Sequence, residues 1–177
     1  MKALYGAPVS LDPRILAFLE YWRSARGDKP MPTRADVDPL EMPKGLLRHT
    51  LLVDVVDQGE RFKFRLVGSE IEDASKLRLT GAFVGDSIEL PVYREYLLDM
   101  LRLVLKTCRP VVSASNFAHL NMEYILTQRV MCPLSHDGEI VNMIFACQVF
   151  ERNPSRSASK DSLQFIGFQR IFEAMVL

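Results

Sequence analysis

The chain has 177 residues, 48% hydrophobic and 25% charged, a composition that predicts one globular domain with a substantial core. Its 22 Lys and Arg residues balance its 22 Asp and Glu residues, which argues against chain-wide electrostatic binding to nucleic acid or anionic lipid. No apolar run approaches the roughly 20 residues of a membrane span, and the first residues are too quickly polar for a signal peptide. Three widely spaced cysteines without a CxxC motif fit a reducing compartment. We therefore expect a cytoplasmic protein that binds neither membrane nor nucleic acid.

The first predicted element is a helix over Leu11–Arg26, followed by Gly27 as a stop. One face of this helix carries an apolar stripe at helical spacing. The stripe consists of Leu11, Ile15, Phe18 and Trp22. Residues 28–45 contain four prolines, which exclude a regular helix or a central strand and predict an extended connector.

Two strands joined by a tight turn follow the connector. Leu46–Val56 is an apolar run typical of a buried strand, and Arg61–Val67 alternates apolar with basic residues as a half-buried strand does. The intervening Asp57–Glu60 contains Gly59 and predicts a turn. The segment is therefore a predicted β-hairpin.

Two helices are predicted next. Ser69 suits the N-cap of a short helix that runs to Leu77, and acidic residues in its first turn favour the positive end of the helix dipole. Pro91 opens a longer helix that ends near Lys106.

Three strands and a final helix complete the predicted order. The strands are Val111–Leu120, Met122–Pro133 and Glu139–Phe150, and the last is apolar on both faces, as a central strand is. Residues 152–160 are rich in Ser and Arg and predict a linker. Asp161–Leu177 predicts an amphipathic helix from its aromatic spacing. The order predicts an α+β domain with an antiparallel sheet.

This order of elements, together with several short stretches, resembles a PAS domain. The likeness is to a branch of small, stand-alone, mostly alphaproteobacterial PAS-like proteins and covers roughly Leu11 to Phe150. The stretches that carry it are Leu19–Gly27, Pro30, Pro32–Arg34, Asp36–Pro39, Phe62–Ile71, Leu79–Gly81, Pro133–Gly138 and Val141–Ile144.

The resemblance implies a five-stranded antiparallel sheet in the order 2-1-5-4-3, with predicted strands numbered along the chain. Helices would cover one face of this sheet, and an N-terminal and a C-terminal helix would flank it. The chain would divide into an N-terminal helix and connector (1–45), a PAS-like core (46–150), and a linker with the C-terminal helix (151–177). Such domains can enclose a small ligand and signal through flanking helices that commonly dimerise.

Side chains that would face the helices are candidates for lining a ligand pocket. Most are apolar, and two amides on central strands would orient the ligand. The candidates are Phe64, Leu66, Ile71, Leu97, Leu101, Phe117, Tyr124, Leu126, Gln128, Asn142 and Ile144. The alternative is a filled core in which the amides bond to their neighbours. A register shift of one residue would exchange the faces of any strand.

The sequence disfavours flavin and haem and leaves any cofactor unknown. The Asn-Cys-Arg-Phe-Leu-Gln type motif of light-responsive flavin-binding PAS domains does not occur, and the three cysteines are expected to be packing residues. Haem-binding PAS domains ligate iron with a helical histidine. Here His49 and His119 fall in predicted strands and His136 in a turn, and the three form no spaced metal-ligand cluster.

No set of residues predicts catalysis. The acidic residues Glu70, Glu72 and Asp73 are explained by their place at a helix start. The sequence has no nucleophile elbow and no Gly-rich phosphate loop. We therefore do not expect an enzyme.

The expected function is that of a sensor or adaptor that binds a small apolar or amphipathic molecule and signals through protein contacts. A protein-binding or dimerisation module with a filled core is the alternative. The apolar stripe of the first helix must be covered either by its own sheet or by a second copy, and we favour a homodimer built partly on that stripe. A basic stripe is expected on the outer face of the sheet, formed by Arg61, Lys63 and Arg65 and extended by Arg48 and Arg129. These side chains would either be solvated or bind an acidic partner.

Overall fold

The computed structural model describes residues 1–75, 77–118, 125–152 and 167–176 of the chain. The strands are β1 (Lys2–Tyr5), β2 (Thr50–Val56), β3 (Arg61–Val67), β4 (Val111–Ala118), β5 (Ile125–Ser135), β6 (Val141–Arg152) and β7 (Gly167–Met175). The helices are α1 (Pro13–Arg26), α2 (Ser69–Ser75), α3 (Val84–Ser87) and α4 (Pro91–Thr107). Among these described helices, none combines the length and the hydropathy that a membrane crossing requires.

The strands form one antiparallel sheet in the order β1-β7-β4-β5-β6-β2-β3. The α+β class is therefore confirmed, but the sheet has seven strands and not five. Its order differs from the expected one because β7 and β1 extend the sheet beyond β4. The five strands that the sequence predicted lie next to one another as β3-β2-β6-β5-β4.

The predicted C-terminal helix is wrong over its described part, because Gly167–Met175 forms strand β7. Residues 161–166 of the prediction lie outside the described residues. Without β7, β4 would present a row of unpaired backbone groups along an edge. Pairing runs from Val111 opposite Met175 to Ala118 opposite Gly167. These backbone hydrogen bonds outweigh a helical spacing of aromatic residues, since tertiary context overrides local preference.

A β-bulge at Ile171 shifts the pairing of β7 with β4 by one residue. Phe168 pairs with Phe117 on one side of the bulge, and Phe172 pairs with Ala114 on the other. Odd and even positions of β4 face opposite sides of the sheet, so the two phenylalanines, one helical turn apart in sequence, lie on opposite faces.

Helices cover both faces of the sheet, so the expectation of one covered face is wrong. On β6, Phe145 faces α1, and the Phe18 and Phe145 ring centroids are 4.4 Å apart. The neighbouring Ala146 points to the other face, towards α2, α3 and α4. The Trp22 indole N–H donates to the carbonyl of Pro133 at 3.0 Å, which fixes α1 on the sheet.

The apolar stripe of α1 is covered by the chain's own sheet. Ile15 and Phe18 have no exposed surface, Trp22 is 2% exposed, and Leu11 packs against the same core. The assignment of Ile15, Phe18 and Trp22 to a dimer surface is therefore wrong, because these three side chains are not available to a second copy. A homodimer as such stays a prediction.

The start of α1 is tied to the centre of the sheet through Gln128. Its amide donates to the Ser10 carbonyl at 3.0 Å and accepts from the Asp12 backbone N–H at 2.8 Å. Asp12 caps the helix by accepting from the backbone N–H of Arg14 at 2.8 Å. The Arg14 side chain, hydrogen-bonded to the carboxylate, lowers the pKa of Asp12 and keeps the cap ionised.

Truncation of a stripe residue tests the packing of α1 on its own sheet. We expect Phe18→Ala to lower the free energy of unfolding by about 3–5 kcal/mol because it empties a fully buried site. Leu16→Ala on the outer side of the same helix, where Leu16 is 47% exposed, should change it by less than about 0.5 kcal/mol. Urea unfolding monitored by circular dichroism measures both, and equal losses would contradict this packing.

Candidate functional site

A cavity of about 810 Å³ lies between the sheet and helices α2, α3 and α4. Its walls are mainly apolar and come from four strands and from the three helices. The sheet wall includes Leu51, Val53, Phe64, Met131, Ala146 and Phe150, and the helical wall includes Ile71, Val84, Leu97 and Leu101. Its size lies within the roughly 300–1,000 Å³ typical of small-molecule sites.

The cavity reaches the surface beside the segment between α2 and α4. The lining residues Leu77, Glu89 and Pro91 are exposed, whereas the sheet residues on the opposite wall are buried. A molecule entering there would pass between the helices and reach the sheet with its leading end.

Four of the candidate pocket residues line this cavity: Phe64, Ile71, Leu97 and Leu101. Leu66 does not, although it follows Phe64 by two positions. A bulge at Arg65 lets Phe64 pair with Val53 but turns Leu66 towards Leu52 and the other face. Leu66 is accordingly 39% exposed.

Two candidates on β5 face α1 instead of the cavity. Gln128 is bonded to the start of α1, and Leu126 lies two positions away on the same face. Assigning these side chains to the pocket was wrong because the pleat of β5 places the odd-numbered residues on the cavity side. Thr127, Arg129 and Met131 occupy that side.

Two further candidates, Asn142 and Ile144, do not line the cavity. Asn142 is the extra residue of a bulge between β5 and β6, and its side-chain oxygen is buried with no described hydrogen-bond partner. Ile144 is fully buried in the core. The Phe117 side chain and all of Tyr124 lie outside the described residues.

Arg129 lies in the cavity and not on the outer face of the sheet. The expectation that it extends the outer basic stripe is wrong, because it is 1% exposed and lines the cavity. An arginine directly before the apolar run Val130-Met131-Cys132 of a central strand is the sequence signal of a buried charge. The alternation along β5 decides its face.

Three neutral side chains hold the Arg129 guanidinium. Nε donates to the Gln148 side-chain oxygen at 2.9 Å, Nη1 to the Ser115 hydroxyl at 2.9 Å, and Nη2 to the Tyr93 hydroxyl at 2.8 Å. The guanidinium carbon also lies 5.5 Å from the centroid of the Tyr93 ring and 5.7 Å from that of Tyr96. Hydrogen bonds and ring faces orient the cation without neutralising it.

No carboxylate among the described residues lies within 4 Å of the Arg129 guanidinium. Glu173 is buried on the same sheet face, but Ser113 of β4 separates it from Arg129. Its two oxygens accept from Arg170 at 2.6 and 2.7 Å. The charge of Glu173 is therefore balanced locally by Arg170.

Two buried cysteines and one buried histidine are poorly suited to chemistry at this site. Burial raises the pKa of the Cys147 thiol to about 12 and that of Cys132 well above its ordinary value, so both are neutral thiols. His49 is buried beside Arg14 on the α1 side, where desolvation lowers its pKa. Within the described residues, no three metal-ligating side chains come together.

The basic residues of β3 have acidic neighbours. Arg61 lies 3.5 Å from Asp86, and its guanidinium stacks 3.6 Å from the centroid of Phe83. Arg65 lies 3.3 Å from Asp54. The charges of this stripe are thus partly balanced within the chain, as they are for Arg48, which pairs with Glu70.

A family model described as PAS domain matches residues 12–147, well over half of the chain. The chain belongs to this family, whose members act as sensory or signalling modules. Comparison with curated proteins and with solved structures gives no significant match.

A pair of alanine substitutions tests whether the cavity has free space. Ala146 faces the cavity, whereas Ala114 is buried in a packed cluster on the opposite face. We expect Ala146→Leu to raise the free energy of unfolding by about 1 kcal/mol by filling space. Ala114→Leu should lower it by about 1–3 kcal/mol by overpacking. Chemical denaturation measures both, and destabilisation by both changes would argue against the cavity.

Proposed function

We propose that this PAS domain is a sensor that binds a small amphipathic molecule in the cavity between the sheet and helices α2 to α4. Occupancy would be reported through contacts with a protein partner or a second copy. The observation that carries the proposal is the cavity of about 810 Å³ with mainly apolar walls. Family membership supports the sensory role.

The apolar walls of the cavity favour an amphipathic occupant over water. Apolar side chains offer few hydrogen bonds to water that enters through the open mouth. Replacing that water by an apolar ligand surface is favourable by roughly 25 cal/mol for each Å² of apolar surface removed from water.

Strand β5 supplies a path from the cavity to the N-terminal helix. Arg129 faces the cavity, and the adjacent Gln128 holds the start of α1 on the other face of the sheet. A ligand that moves Arg129 would move the backbone that carries Gln128. The outer surface of α1, which includes the exposed Leu16, is the side that a protein partner would contact.

Native mass spectrometry of the full chain, compared with denaturing mass spectrometry, tests ligand binding directly. We expect a bound small molecule, or binding of the neutral apolar dye N-phenyl-1-naphthylamine with increased fluorescence. Ala146→Leu should lower the amount bound because its side chain takes up cavity space. Ala25→Leu on α1 makes the same chemical change away from the cavity and serves as the control.

Two results would contradict the proposal. The first is that the native protein retains no small molecule and binds no dye, which would favour a protein-binding module without a ligand. The second is equal dye binding by the Ala146→Leu and wild-type proteins, which would place the binding elsewhere.

A further inference from the structure

The cavity contains one buried cation without a counter-ion in the described chain. Among the described residues that line it, only Glu89 and Arg129 are charged, and Glu89 is exposed near the mouth. Arg129 lies at the sheet wall with 1% of its surface exposed. Burying an unpaired charge costs several kcal/mol, so the site is arranged for an anion.

The guanidinium has donors left for a ligand. Arginine carries five N–H groups, and three of them donate to Gln148, Ser115 and Tyr93. The other two N–H groups, both on the terminal nitrogens, have no acceptor among the described residues. Tyr93, Ser115 and Gln148 accept from three directions and fix the plane of the guanidinium.

Two further polar groups line the same wall. The Gln148 side-chain oxygen accepts from Arg129, so its NH₂ group points away from the guanidinium. Thr127 precedes Arg129 by two positions on the cavity side of β5. An anion bound by Arg129 would thus find neutral donors beside it and apolar side chains beyond it.

We propose that the ligand is an amphipathic carboxylate, whose carboxylate pairs with Arg129 and whose apolar chain lies against Leu97, Leu101 and the other apolar walls. This inference rests on the proposed function and names its ligand class. A carboxylate matches the fork of an arginine, and its single negative charge balances the single buried cation. A phosphate ester would bring a second negative charge for which the described lining offers no second cation.

Competition with bound N-phenyl-1-naphthylamine tests the inference with three ligands of the same chain length. The full-length protein at pH 7.5 is titrated with decanoate, methyl decanoate and decyl phosphate. We expect decanoate to bind at least about tenfold more tightly than methyl decanoate, because a charge-assisted hydrogen bond is lost in the ester. Decanoate should also bind more tightly than decyl phosphate.

The variant Arg129→Met removes the cation and keeps an apolar side chain of similar length. It should lose the preference for decanoate over its methyl ester while still binding the dye. Arg65→Met makes the same change at an exposed arginine of β3 and should keep the preference. The comparison of decanoate with its ester on the wild-type protein decides the inference even where Arg129→Met does not fold.

The outcomes separate this inference from the proposed function. Equal binding of decanoate and methyl decanoate, tighter binding of decyl phosphate, or a preference that survives in Arg129→Met would each overturn the carboxylate assignment and leave the proposed function standing. If neither the dye nor any of the three ligands binds, the proposed function fails, and the inference fails with it.

Discussion

The rest of the structure depends on the pairing of β5 with β6, which joins the two halves of the sheet. Its ladder runs from Ile125 opposite Arg152 to Ser135 opposite Val141. A one-residue slip of this pair would turn every side chain of one strand to the wrong face. This register points Phe145 towards Phe18 of α1 and points the side chain of Arg129 into the cavity on the other face.

The same register makes the sheet the shared wall of two different layers. On one face, Phe18 and Trp22 of α1 are buried against the sheet, and the Phe18 ring contacts Phe145. On the other face the helices between β3 and β4 stand away from the sheet and leave the cavity. Gln128 and Arg129 are consecutive residues that serve the two layers, so the helix anchor and the buried cation share one segment of backbone.

Elements defined by local pattern could be predicted from the sequence, but strand edges and bulges could not. The alternation of apolar and basic residues over Arg61–Val67 correctly predicted strand β3. Pro91 correctly predicted the first residue of α4. Strand β7 depends on backbone partners in β4, which lie about 50 to 60 residues earlier in the chain, and no local periodicity records them. The bulge at Arg65 reverses side-chain direction within β3, and the bulge at Asn142 lies at the start of β6. Strict alternation along the sequence takes no account of either bulge, so it places Leu66 and Asn142 in the cavity.

The burial of the Arg129 cation is the reason to expect a polar end on any ligand of this mainly apolar cavity. A buried charge held only by neutral groups is less favourable than an apolar side chain of similar size, since replacing buried ions by hydrophobic residues is often neutral or stabilising. Ser115, Tyr93 and Gln148 reduce this cost through three hydrogen bonds but supply no negative charge. An anionic ligand would remove most of the remaining cost, and its binding would be coupled to the stability of the central strand. Occupancy of the cavity by an anion would thus be linked to the stability of the central strand through a single side chain.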